Sequence, residues 1–428
     1  RSKKSDDSAP APWKYHLLRD ALKHVPKPAM VVDLVTFDAN AATFAAIALR
    51  HGKTVRIATK SLRVPFLIDR VLDAHPHVYK GLMCFSTPEA EFWWRRGRDN
   101  LLVAYPTVQT SDLEAAWRVT QDGATLRLMV DCVDHVNALA AFCRGKPAGR
   151  ALAVCVDVDM ALRPGLGIHL GSHRSPCRSV EDFNTVYDAA VSSGVLRVTG
   201  VMGYEAQVSG LPDNSPWVSS AFNTVLRAFK SLSLRQVFRL RAAVVRSLLR
   251  REGVTTPERA TTAEALRAAG LMVNGAGSGS ADASGKDDSI TELAVGSGLL
   301  HSHIFDWFAA NTCRPAFCFA LQVTRSSDPG VVCCQSGGFI ASGEVSPGAQ
   351  PSVFLPKGLR TFPEEGVGEV QTPLHGPAAA GLSIGDPVFF RPAKAGEIAE
   401  RFAEYQLLVD GSIVESVKTY RGLGHTFY

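Results

Sequence analysis

The chain has 428 residues, 46% of them hydrophobic and 20% charged, with a net charge of +5. That length asks for more than one core, and the composition is that of a folded globular protein, not a disordered or collagen-like one. The mild positive excess gives no ground for expecting nucleic acid or a membrane as partner, and leaves room for a small acidic ligand.

Residues 1–28 read as an arm followed by a short helix near 15–24. From residue 29 onward strands and helices alternate. Residues 29–34 (AMVVDL) are apolar and β-branched, and 37–50 form an alanine-rich amphipathic helix. A second strand at 54–59 carries Thr54, Val55, Ile57 and Thr59, with a helix at 64–74. The third, 81–85, leads to a helix from Thr87, where Thr87, Pro88 and Glu89 supply a cap, a first-turn proline and a carboxylate near the positive helix end. Strands follow at 100–105 and 125–130, with helices near 111 and over 133–143. The sixth, 151–158, opens a polar loop (160–178) and a helix at 180–193. The seventh is 196–204, and a basic helix at 221–252 and an inserted segment at 253–268 separate it from the eighth, 270–274. The strands are near-continuous apolar runs, as strands covered on both faces are. Eight such units predict an α/β fold, a (β/α)8 barrel, with the eighth helix near 290–300 or 301–311.

After Leu300 the texture changes, and residues 313–428 carry short alternating strands and Gly/Pro turns, with a hairpin signal at Asp410-Gly411. The expected organisation is an arm (1–28), a barrel (29–311) and a C-terminal all-β domain (312–428). The nine cysteines are odd in number and several sit in apolar runs, which predicts free buried thiols and a reducing, cytoplasmic setting. No apolar run spans a membrane. The polar first residues lack the apolar core of a secretory signal, and the chain does not begin with Met, so a truncated or processed product is expected.

Barrels place chemistry at the carboxyl ends of their strands. Lys60 follows the second strand, between Arg56 and Arg63. Neighbouring positive charge and burial both disfavour an ammonium, and a neutral lysine is a nucleophile suited to a Schiff base. After the 270–274 strand, Asn274 to Ser280 (NGAGSGS) offers backbone N–H groups and hydroxyls without side-chain bulk, the composition of a phosphate cradle. Gly296-Ser297-Gly298 adds to it. Arg163, in DVDMALRPG, is either a surface cation on a turn or a partner for a ring nitrogen or carboxylate. Tyr204 is either a core aromatic or one wall of a flat cofactor's site. The pairs His75/His77 and His301/His303 match no zinc pattern and read as structural or solvated. GxSxG is absent.

Taken in order, PAMVVDL, RIATKSLR, GLMCFSTPEAE, NLLVAYP, MGYEA, VNGAGSGS, TELAVGSG and SGGFIASG resemble the fold-type III pyridoxal-phosphate (PLP) enzymes, the alanine-racemase-like barrels, and within them the D-threonine aldolase and D-serine dehydratase branch. The resemblance spans roughly residues 28–428. It implies pyridoxal 5'-phosphate as cofactor, a small amino-acid substrate, and a lyase acting on D-amino acids. An amino-acid racemase on the same scaffold, or a PLP-binding protein with little turnover, are the alternatives. By position, Lys60 carries the cofactor and accepts a proton on one face. Arg163 sits by the pyridine nitrogen and Tyr204 lines the ring. Gly277, Ser278 and Gly279 grip the phosphate. The resemblance also implies a head-to-tail homodimer. One departure stands out. The branch carries a metal pair in its β domain, a His followed two residues on by Cys or Asp. Here Lys394 and Gly396 occupy those places, so no metal site is expected, and Lys394 is either a stand-in for the metal's charge or a surface lysine. The usual His before the lysine segment is also replaced, by Ala58.

Overall fold

The computed structural model describes residues 13–165, 167–255, 261–310, 312–343 and 346–428. Residues 1–12 of the expected arm, and 256–260 of the segment expected as an insertion, fall outside the described residues. The first strand, β1 (Ala29–Asp33), is followed by β2 (Thr54–Ala58), β3 (Tyr79–Cys84), β4 (Leu101–Val103), β5 (Leu126–Val130) and β6 (Leu152–Asp157). A short hairpin, β7 (Leu162–Gly165) with β8 (Ile168–Leu170), lies within the region expected as plain loop. Then come β9 (Leu196–Met202), β10 (Met272–Gly275) and β11 (Glu292–Val295).

Eight parallel strands close into a barrel in the order β10-β11-β2-β3-β4-β5-β6-β9. The expected fold is therefore present, with two corrections of membership. β1 is not a barrel strand. It pairs antiparallel with β12 (Phe317–Asp328) and parallel with β18 (Glu404–Val409), inside the sheet of the C-terminal domain. The eighth barrel strand is β11, in a stretch expected as helix. The helix Leu34–Arg50 that leaves β1 packs against β2 and β11 and so closes the ring of helices. Asp33 caps it, accepting from the Thr36 N–H. The helix at Thr87–Arg95 is capped by Ser86, one residue earlier than expected.

Inside the barrel, Leu102, Met129, Cys155, Met202 and Met272 form an apolar layer. Beneath it Arg56, 1% exposed, reaches Glu292 (Nε–Oε1 2.6 Å, Nη2–Oε2 3.0 Å), and Asn274 donates to the same carboxylate at 2.8 Å. A buried ion pair this well matched holds β2 to β11.

The C-terminal domain adds β13 (Val331–Gln335), β14 (Ser352–Leu355), β15 (Arg360–Thr361), β16 (Gln371–His375), β17 (Pro387–Arg391) and β19 (Ser412–Lys418). Its sheet runs β15-β16-β13-β12-β1-β18-β19, with β17 bridging β12 and β14. Asp410 and Gly411 take positive φ (47° and 80°) between β18 and β19, the backbone a two-residue hairpin turn requires. All nine cysteines are free, seven of them buried. Among the described residues no helix is long and apolar enough to cross a membrane.

Candidate active site

A cavity of about 470 Å³ opens at the carboxyl ends of the barrel strands, within the usual size range of ligand sites. Lys60, Tyr204, Gly277, Ser278, Gly279 and Ser297 all line it. The sequence places these residues up to 237 positions apart (297 − 60), and the barrel brings them to one mouth.

Lys60 lies in a short 3₁₀ turn that follows β2. Its side chain is exposed because the cavity is open to solvent. Its two cationic neighbours do not act as the sequence suggests. Arg56 is committed to Glu292 inside the barrel, and Arg63 donates to Glu400 at 2.7 Å. The group that touches the Lys60 ammonium is the Tyr105 hydroxyl, 2.7 Å away just beyond β4. Burial acts to raise the Tyr105 phenol, but the Lys60 charge and hydrogen bond, helped by Arg174, bring it below its ordinary value.

The glycine loop after β10 has no room for side chains. A Cβ at Gly277 would overlap Ser209 Oγ and approach Tyr204, and one at Gly279 would overlap the Ser209 carbonyl and the Phe308 ring. Ser278 Oγ accepts from the Gly296 and Gly298 N–H groups (3.2 and 2.9 Å), tying the loop to the end of β11. Ser297 Oγ donates to Ser61 Oγ at 2.9 Å, next to the lysine. Ser302 also lines the cavity, and its buried Oγ has no partner among the described residues.

Behind the loop lies a network that sequence reading missed. Glu205, fully buried, accepts from Arg241 Nη2 (2.8 Å), Ser280 Oγ (2.9 Å), Ser284 Oγ and the Ala276 N–H (3.2 Å). Arg241, also fully buried, reaches Asp287 at 2.6 Å and the Gly203 carbonyl at 2.6 Å. The adjacent pair Tyr204-Glu205 thus faces two ways, the tyrosine to the cavity and the glutamate to the back of the loop.

Arg163 is not in the cavity wall. The β7–β8 hairpin carries it to Asp159, an ion pair of 2.6 Å four residues away. Arg63 and Arg174 line the cavity, and the Arg174 guanidinium lies 5.1 Å from the Tyr204 ring centroid. Asp157, at the end of β6, is pushed up to about 7 by burial, opposed by Arg174 and reinforced by Asp131 and Asp159.

The C-terminal domain supplies the rest of the rim. Lys394 lines the cavity and donates to the Ser342 carbonyl (2.5 Å) and Oγ (3.3 Å), while Glu397 accepts from the Ser342 N–H. Gly396 sits on the Lys60 carbonyl so closely that a Cβ there would overlap it. No metal pair fits at 394 and 396: one residue is a cation and the other has no space for a side chain. His301 bonds to Asp306 and His303 to the Gln350 carbonyl, the structural roles expected of them.

No family model and no curated protein sequence matches the chain. Solved structures do. D-threonine aldolase from Filomicrobium marinum is similar with a TM-score of 0.71 and 19% identity, over 94% of this chain and 98% of that one. D-threo-3-hydroxyaspartate dehydratase from Delftia sp. HT23 has a TM-score of 0.65 and 21% identity, over 93% and 98%. Alanine racemase from Clostridium difficile 630, in complex with cycloserine, has a TM-score of 0.56 and 13% identity, over 92% and 99%. The chain has the fold-type III architecture of these proteins, barrel and β domain together.

Proposed function

We propose that the chain is a PLP-dependent lyase acting on a D-amino acid that carries a β-hydroxyl. The observation that supports it most is the placing of one lysine amine and one glycine-serine loop on the same cavity, at the carboxyl ends of a barrel whose architecture is shared with PLP-fold aldolases, dehydratases and racemases. A phosphorylated aldehyde suits these residues. Gly277, Ser278 and Gly279, with Gly296 and Ser297, form the phosphate cradle, and Ser302 Oγ is a further donor. Lys60 is the amine for the aldehyde carbon. Tyr204 is the flat wall, and Arg174, not Arg163, is the cation against it.

Bound there, the cofactor supplies an electron sink for charge developing at the substrate's α-carbon. The chain's own residues do the rest. Lys60, once released, takes the α-proton on its face. Lys394 holds positive charge at the rim, where a departing β-oxygen is stabilised without a metal. The Ser342 contacts fix the Lys394 ammonium, and Phe305 and Phe308 exclude water from one side of the cavity. The choice of a D-β-hydroxy substrate rests on the D-threonine aldolase and D-threo-3-hydroxyaspartate dehydratase neighbours.

The test is a screen of D- and L-amino acids with and without β-hydroxyls, read by product analysis, on wild type and Lys60→Ala. Turnover of a D-β-hydroxy acid, lost in Lys60→Ala and unchanged by chelators, supports the reading. Loss on chelation refutes the part assigned to Lys394, and interconversion of enantiomers without cleavage refutes the lyase. The resemblance extends the proposal to a cytoplasmic homodimer, checked by light scattering and cell fractionation.

A further inference from the structure

A protonated lysine has no lone pair, so Lys60 has to shed a proton before its nitrogen can attack a carbonyl. The structure offers few places for that proton. Among the described residues no carboxylate is within ion-pair distance of Lys60, and the two cations beside it in sequence are occupied by Glu292 and Glu400. The one side chain hydrogen-bonded to its amine is Tyr105, at 2.7 Å, with the ammonium 5.4 Å from the ring centroid. Tyr105 is carried by the segment after β4, two barrel strands along from Lys60, so the contact is set by barrel register and not by a local turn.

The phenol's surroundings suit a proton acceptor. It is half-buried on the cavity wall, and it feels two cations, Lys60 and Arg174, which favour its phenolate over its phenol. Asp157 acts on it in the opposite direction.

From this geometry we infer that Tyr105 is a catalytic residue, the proton-transfer partner of Lys60: its phenolate oxygen takes the ammonium proton as the amine becomes nucleophilic, and holds it so that the lysine, once released, is an uncharged amine. The inference rests on the cofactor role proposed for Lys60. In the forward step an N–H bond breaks and an O–H bond forms, and the charges, one positive and one negative, cancel to two neutral groups. The free amine would then be able to add to an aldehyde held in the cavity, whose oxygen would leave as water. Nothing outside the two side chains and the aldehyde is consumed.

The experiment uses the full chain, freed of bound aldehyde with hydroxylamine and dialysed. Pyridoxal 5'-phosphate is added at a series of pH values, samples are quenched with borohydride, and the modified Lys60 peptide is counted by mass spectrometry. Pyridoxine 5'-phosphate, which has the phosphate but no aldehyde, measures the intact pocket separately. Tyr105→Phe is expected to capture the aldehyde roughly a hundredfold more slowly near pH 7, the low end of what a positioned proton acceptor contributes. Its deficit should shrink as the pH rises toward the range where lysine ionises unaided, and its affinity for pyridoxine 5'-phosphate should stay within about twofold of wild type. Equal capture rates and pH profiles in wild type and Tyr105→Phe overturn the inference while leaving the role of Lys60 standing. A uniform loss at every pH, with weakened pyridoxine 5'-phosphate binding, also overturns it, since that is the signature of a packing role. Absence of any Lys60 adduct in wild type removes the cofactor reading and this inference together.

Discussion

The carboxylate behind the glycine loop gives the sharpest stability prediction. Glu205→Gln keeps the shape of the side chain and one acceptor oxygen, and removes the charge. What is lost is the pairing with Arg241, which is left buried with Asp287 as its remaining carboxylate. Breaking one arm of a buried, hydrogen-bonded ion pair costs about 3–5 kcal/mol. The amide nitrogen can turn toward Ser280 and Ser284, whose hydroxyls accept as well as donate, so the lower end is expected, about 3 kcal/mol. At an unfolding slope of about 3 kcal/mol per molar urea, this moves the midpoint down by about 1 M. The assay is urea unfolding followed by far-UV circular dichroism, with Glu415→Gln as control. Glu415 is exposed on β19, where a substitution of this kind shifts stability by no more than about 0.5 kcal/mol. Binding of pyridoxine 5'-phosphate should weaken in parallel, because Glu205 holds the Ala276 N–H and the Ser280 hydroxyl on either side of the residues proposed to hold the phosphate. A Glu205→Gln midpoint within about 0.2 M of wild type would refute the claim that a charged network supports the loop.

Three further outcomes follow from contacts described above. Gly277→Ala places a methyl on Ser209 Oγ, and is expected to lower phosphate-ligand affinity at least tenfold by equilibrium dialysis while costing about 1–3 kcal/mol in stability. Gly396→Ala presses on the Lys60 carbonyl, with a similar stability cost and slower aldehyde capture at Lys60; capture at the wild-type rate would show that the contact does not position the lysine. Glu89, buried and bonded to Tyr420 (2.6 Å) and the Phe85 N–H (2.7 Å), has its carboxyl pushed up to about 7 by burial. A folded-state value above the unfolded one, about 4.3, means the stabilising contribution is complete below that pH and lost as the pH rises through 7. The stability gap between wild type and Glu89→Gln should therefore move by about 3 kcal/mol against wild type from pH 4.5 to 8, and a gap independent of pH would rule this out.

Which parts of this could be read from sequence has a physical pattern. The barrel was legible, and so was the placing of Lys60, Tyr204 and the glycine loop on one cavity, because each directly follows an apolar β-branched run, and a strand end is a local feature. β1 was misplaced because a strand buried on both faces looks the same in a parallel barrel and in the middle of a mixed sheet. β11 was missed because it is four residues long and starts with Glu292, a charge that makes sense only when Arg56 faces it across the barrel. Arg163 and Arg174 share one polar loop, and only the β7–β8 hairpin, which turns the first toward Asp159, decides between them. Tyr105 was visible as the end of NLLVAYP, but its contact with Lys60 depends on strand register that no spacing in the chain encodes.

The position of the lysine depends on the C-terminal domain as much as on the barrel. Arg63, three residues after Lys60, holds a left-handed φ of 55°, an unfavourable backbone for a side chain of that size. Its guanidinium donates to the Lys60 carbonyl (3.1 Å) and to Glu400, and its own carbonyl accepts from the Tyr420 N–H (2.9 Å). Gly396 covers the Lys60 carbonyl from the other side, and the Tyr428 hydroxyl donates to the Phe85 carbonyl at the end of β3. At the opposite end of the domain, β1 loses both pairing partners if β12 and β18 are absent. A fragment ending at residue 311 therefore keeps every barrel strand and still lacks what fixes Lys60. It is expected to expose the edges and faces of β1, and to associate or precipitate. Were such a fragment to remain monomeric and trap pyridoxal 5'-phosphate on Lys60 at the rate of the full chain, the contacts from Gly396, Glu400 and Tyr420 would be shown to have no part in setting the amine.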